Sequence, residues 1–149
     1  MKQITSVLTL LWSLSVIAAD LNTQLVGAVM SGKVSAARDL IVQGADVNAT
    51  NAAGRPLIVL AAASGNRRTV QSLITSGADI NAVDKQANSA LMEAAAFGYA
   101  ELVSLLIASG ADVNLANTAG ETALKKASRA GQTKIEEMLK AAGAEEKAE

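Results

Sequence analysis

The side chains in this sequence that can do chemistry are carboxylates, hydroxyls and a few cations, because it holds neither cysteine nor histidine. Thiol nucleophiles, imidazole bases, disulfides and zinc sites of the Cys/His kind are thereby excluded. The most regular candidates are Asp46, Asp79 and Asp112, each followed two residues later by an asparagine, Asn48, Asn81 and Asn114. Paired carboxylates can share acid-base work or hold a cation, but only where they converge. Here one Asp-x-Asn unit recurs per segment, two residues after a glycine, where a short polar side chain holds the backbone of its own turn. That turn-holding role is the one expected of all six residues. No phosphate loop of the Gly-x-x-x-x-Gly-Lys kind and no dinucleotide fingerprint is present. Arg67-Arg68 can meet a phosphate, yet the chain has 13 Lys+Arg against 14 Asp+Glu, a net charge of -1 and no basic block. A solvated face is the expected role of that pair, and neither nucleic acid nor an anionic membrane is an evident target. The expectation is a protein that is not an enzyme, with no catalytic, metal or cofactor site.

The elements that carry these residues follow from an internal repeat. Gly-Ala-Asp-Val-Asn at 44–48 returns as Gly-Ala-Asp-Ile-Asn at 77–81 and with Val at 110–114, an interval of 33 residues. The same interval links Gly32, Gly65, Gly98 and Gly131, and also Leu40, Leu73, Leu106 and Leu139. Repeats of this length are stacked units, none of which buries its apolar face alone. Within 81–113, Ser89 suits an N-cap, Leu91, Ala94 and Ala95 share one helical face, and Gly98 ends the helix. A second helix from about Ala100 carries Leu102, Val103, Leu106 and Ile107 and ends at Gly110. Asn114 and Asn117 then suit a hairpin crossing to the next unit. The 31 alanines are packing residues that let such layers approach.

Residues 1–19 read as a secretory signal peptide: Lys2, an apolar run from Ile4 to Ile17, then Ala18-Ala19 before Asp20. Cleavage falls after Ala18 or after Ala19. The apolar run, broken by Thr9, Ser13 and Ser15, is shorter than the roughly 20 residues a bilayer-spanning helix needs. The expected destination is the periplasm or the medium, with no membrane attachment after cleavage. Thr23 then caps a first helix running to about Ser31, and Glu145 to Glu149 form a frayed tail.

The 33-residue unit resembles the ankyrin repeat, and the resemblance covers residues 20–149 in units of about 20–47, 48–80, 81–113 and 114–145. The fold expected is an all-α solenoid of four stacked helix-turn-helix units with hairpin-like loops. In the last unit Leu124-Lys125-Lys126-Ala127-Ser128-Arg129 and Lys140 replace apolar positions, as a C-terminal cap requires. Where the family commonly has Thr-Pro-Leu-His, this chain has Pro56-Leu57-Ile58-Val59, Ser89-Ala90-Leu91-Met92 and Thr122-Ala123-Leu124-Lys125. Ionic contacts between layers about 10 Å apart are the expected substitute: Glu93 over Lys126, and a column of Arg68, Glu101 and Lys134. As exposed pairs these are worth at most about 1 kcal/mol each.

The resemblance implies a module that binds another protein through its concave face, monomeric when free. Hairpin tips and the exposed side of the inner helices are the contacts that the family uses. Their equivalents here include Arg55, Ser64, Lys85, Gln86, Asn88, Phe97, Tyr99, Thr118, Glu121 and Arg129. Phe97, the only phenylalanine, and Tyr99 are expected as anchors, with Arg55, Lys85 and Arg129 as a mild positive rim. Small exported ankyrin-like proteins of bacteria point to an oxidative-stress enzyme such as catalase as partner. An inhibitor or immunity protein, or a secreted effector, is the alternative.

Overall fold

A computed structural model describes residues 4–146. Lys2, expected to open a signal peptide, and residues 147–149, expected in a frayed tail, lie outside them. Eight helices follow in order among the described residues: α1 Ile4–Met30, α2 Val34–Val42, α3 Leu57–Ala63, α4 Arg67–Thr75, α5 Ala90–Phe97, α6 Ala100–Ala108, α7 Ala123–Arg129 and α8 Thr133–Ala141. The C-terminal part of α1 with α3, α5 and α7 forms an inner row, and α2, α4, α6 and α8 form an outer row.

Short helices appear where the repeat places start and stop signals. The Ser89 hydroxyl accepts from the Met92 N–H, Thr122 from Lys125 and Asn66 from Thr69, each meeting an otherwise orphan donor of a first turn. Small side chains, among them Ala61, Ala62, Ala94, Ala95 and Ala127, are buried along the inner row. They let the inner helices approach more closely than the outer ones do, so the stack curves towards the inner side. Leucine and isoleucine fill the space between rows: Leu57, Leu91, Leu102, Leu106, Ile135 and Leu139 are fully buried. At the far end of each inner helix the next layer closes over a glycine. A Cβ at Gly65 would stand 2.8 Å from the Tyr99 ring, and one at Gly98 2.7 Å from the Gln132 amide, so the repeated glycine admits the neighbouring layer as well as ending its helix.

Between layers each loop closes with a single antiparallel bridge, Thr50 to Pro56, Val83 to Ser89 and Ala116 to Thr122. The tip is built by one side chain: Asp84 Oδ1 accepts from the Gln86 and Asn88 N–H groups, and Asn51 and Asn117 do the same two and four residues on. The six Asp-x-Asn residues divide their labour. Asp46, Asp79 and Asp112 hold their own turns by accepting from the asparagine two residues later, as expected. The asparagines depart from expectation. Asn48 Oδ1 accepts from the Asp79 N–H at 2.8 Å, Asn81 from Asp112 at 2.8 Å and Asn114 from Glu145 at 3.0 Å. Each therefore ties its layer to the backbone of the following one, and Asn22 of α1 does this for Asp46 at 2.8 Å.

Both ends differ from the sequence expectation. Thr23 caps nothing: its hydroxyl donates to the Ala19 carbonyl inside α1, which is unbroken for 27 residues, about 40 Å. The first unit has no hairpin before its inner helix, so the chain continues the helix already begun. Leu25, Ala28 and Val29 enter the repeat core, while Val7, Leu8, Leu11, Leu14 and Ile17 are exposed and Trp12 is 75% exposed. The stretch Leu10–Met30 is long and apolar enough to cross a membrane, though its last third is already packed in the first layer. At the other end, Glu145 and Glu146 are docked rather than frayed: Glu145 bonds to Asn114, and the Glu146 carboxylate lies 2.8 Å from Lys140 Nζ. That hydrogen bond, with the charge attraction behind it, raises the Lys140 pKa and lowers that of Glu146.

Two positions contradict the local rules. Ala87 has φ +61° at a hairpin tip where the second and fourth units place Gly54 and Gly120. Thr69, on the face of α4 equivalent to Leu102 and Ile135, is fully buried and its hydroxyl has no hydrogen-bond partner. Ala87→Gly removes a left-handed alanine and is expected to raise unfolding free energy by about 1 kcal/mol. Thr69→Val removes an unpaired buried hydroxyl and is expected to gain about 1 kcal/mol as well. Denaturant midpoints that rise with unchanged m-values check both.

Candidate functional site

The concave side presents the hairpin tips and the exposed edge of the inner helices, and a connected polar network runs across it. Arg55 leaves the second hairpin and reaches into the third layer, where Nη2 lies 2.5 Å from Glu93 Oε2 and Nε 3.6 Å from Asp84 Oδ2. Glu93 Oε1 is 3.9 Å from Lys126 Nζ of the fourth layer. Asn88 Nδ2 approaches Asp84 at 3.5 Å, Asn117 Nδ2 donates to Asn88 Oδ1 at 3.0 Å and to Glu121 Oε2 at 3.2 Å, and Glu121 pairs with Arg129. Backbone joins in where the Thr118 N–H donates to the Gln86 carbonyl at 3.0 Å between two hairpins. Three layers are thus connected by side chains of balanced charge.

Glu93 is the centre of this arrangement. Its side chain is 10% exposed, against 30% for Arg55 and 18% for Lys126, so it is a buried carboxylate answered from two sides. Expected contacts with Lys126 are present, but the shorter partner is Arg55, which column matching at an interval of 33 cannot find because it lies 38 residues away. Column matching also offered Arg68, Glu101 and Lys134, and these form no ion pairs among the described residues.

The ten residues expected to bind fall into two groups. Arg55, Asn88, Glu121 and Arg129 belong to the network, and Lys85, Gln86 and Thr118 stand exposed on the hairpin tips. The positive rim is therefore corrected, since Arg55 and Arg129 are neutralised by Glu93, Asp84 and Glu121. Lys85, whose stem lies over Gly54, forms no ion pair among the described residues. Ser64, Phe97 and Tyr99 lie at the other end of the inner helices, roughly 12 Å away along a helix of eight residues. Ser64 is exposed and donates to the Leu60 carbonyl at 3.1 Å. Tyr99 is half-buried against Gly65, and Phe97 rests on it with ring centroids 6.0 Å apart and planes inclined 31°. Phe97 is 56% exposed, so the layer contact is made by the tyrosine and the phenylalanine faces outward.

Residues missed from the sequence are Asp84, Glu93 as a hub and Asn51. The signal that finds them is the tip position of the hairpin, where Asn51, Asp84 and Asn117 recur at the same interval as the glycines. Among the described residues no group of three or more Asp or Glu side chains is placed to hold a metal ion.

A family model described as ankyrin repeats (3 copies) matches residues 25–117 and, in a second registration, 57–149. No curated protein matches the chain.

Glu93→Ala leaves Arg55 and Lys126 partly buried without their carboxylate and is expected to cost about 2–3 kcal/mol. In double-mutant cycles, Arg55 with Glu93 is expected to couple more strongly than Lys126 with Glu93, as the distances order them. Chemical denaturation of the three single and two double variants reads both couplings.

Proposed function

Because the chain belongs to the ankyrin-repeat family, whose repeats generally mediate protein–protein interaction, we propose that it is an exported, non-catalytic module that holds a partner protein on its concave face. The observation that carries this reading is Phe97, an aromatic side chain 56% exposed on a rigid layer and backed by Tyr99. Exposed aromatics fixed by neighbours are the anchor type that dominates protein interfaces. At the opposite end of the inner helices the polar network holds helices and hairpins in one geometry, so little ordering is needed when a partner docks. Charge is balanced within the network, which favours a partner chosen by shape and apolar contact over one chosen by long-range steering. The partner class that the family resemblance implies is an oxidative-stress enzyme such as catalase.

Export is the reading of residues 1–19 that accounts for their composition. It also accounts for an apolar helix surface, from Val7 to Ile17, that the repeats leave uncovered. Cleavage after Ala18 or Ala19 removes that surface and leaves Leu21, Leu25, Ala28 and Val29 as the first inner helix. Osmotic-shock fractionation with N-terminal sequencing is expected to find a released chain starting at Ala19 or Asp20. Recovery of the intact chain with membranes would make α1 an anchor instead.

Affinity capture from periplasmic extract is expected to retain one protein, and Phe97→Ala with Lys85→Ala to weaken its binding about tenfold or more at unchanged Tm. Equal capture by both would remove the concave face from the reading. Arg55 is unsuitable for this test, because its loss disturbs Glu93.

A further inference from the structure

On the outer row, at the end of the helices away from the hairpins, the first turns of α2 and α4 enclose an open hollow of about 770 Å³. Its lining includes Lys33, Arg38, Arg67 and Arg68 and no carboxylate. None of these four cations forms an ion pair among the described residues, whereas Arg55, Lys126, Arg129 and Lys140 all do. Four unanswered cations on one wall of a chain of net charge -1 are an uneven distribution, and bringing them together costs repulsion unless an anion answers them.

A second observation lies in the floor of the hollow. Ser72 is 7% exposed and lines it. The helix ends add donors of the same sign. α2 begins at Lys33 without a side-chain cap, and Val34, Ser35 and Ala36 of its first turn line the hollow.

We propose that this hollow is a binding site for a phosphate-bearing anion, held by Arg67, Arg68, Lys33 and Arg38 with Ser72 donating from the floor. Every group named is a donor, and three are guanidinium forks, which match the oxygens of phosphoryl groups better than a point charge does. The four cations are spread over the first turns of two helices, which favours a compound with two or more phosphoryl groups, or a phosphorylated headgroup. The site is on the outer row and is independent of the concave face and of the partner proposed for it.

The test is calorimetric titration of the full chain with inorganic tripolyphosphate at low ionic strength. Saturable binding of one tripolyphosphate per chain is expected, weakened by added salt. Arg67→Ala with Arg68→Ala is expected to weaken it tenfold or more, and Ser72→Ala about threefold. Lys134→Ala, on the outer face of the fourth layer, is expected to leave it unchanged. Circular dichroism and Tm of each variant separate lost binding from lost folding. Absence of saturable binding overturns the proposal, as does an equal loss in the Lys134 variant, or competition by polyglutamate as strong as that by tripolyphosphate. Sedimentation with phosphatidylglycerol and phosphatidylcholine vesicles then separates the sources. Extra binding to phosphatidylglycerol that needs Arg67 and Arg68 assigns a lipid headgroup, and its absence assigns a soluble phosphate compound.

Discussion

Close stacking of alanine-lined inner helices is the contact on which every other feature of this protein depends. The helices after α1 have only seven to nine residues, a length at which an isolated helix is unstable in water. Burial against the next layer supplies what each lacks, and alanine makes the approach short enough for the backbone to take part. That is why Gly65 and Gly98 meet Tyr99 and Gln132 so closely. It is also why a side chain as short as Asn81 can reach the backbone of the next layer at Asp112. Close approach on the inner side and wider spacing on the outer side give the curvature that creates a concave face.

Alanine surfaces pack well but specify register poorly, because one alanine looks much like another. Polar contacts between layers provide the missing specification. Asn22, Asn48, Asn81 and Asn114 form a ladder with one rung per interface. Arg55, Glu93 and Lys126 add a second device across the three later layers. A slipped layer would leave the Glu93 carboxylate buried without its cations, a penalty far above what any exposed pair contributes. The family's Thr and His positions are filled by other residues here, and these two devices occupy the same structural need.

Charge used inside the network is not available to a ligand, and this separates the two faces of the molecule. On the concave side Arg55 and Arg129 are answered, leaving recognition to Phe97 and to the tips around Lys85. On the outer side Lys33, Arg38, Arg67 and Arg68 are unanswered. α1 sets a third region apart, since its apolar N-terminal half extends beyond the first layer and touches no other helix surface that would cover it.

By itself the sequence determined the period, the helix-turn-helix unit, the caps at Ser89 and Thr122 and the turn-holding aspartates. All of these rest on interactions within about five residues or on exact repetition, which a linear reading can see. It also placed Glu93 against Lys126, because equivalent positions stack. Tertiary structure alone decided that Arg55 is the closer partner of Glu93, that the asparagines bond forward into the next layer, and that Tyr99 is half-buried while Phe97 is exposed. It decided too that Thr23 lies within a helix already begun and that Ser72 faces a cationic hollow. The reason is common to these cases: each depends on the offset and rotation of one layer against the next, quantities set by side-chain packing across the interface and carried by no single repeat.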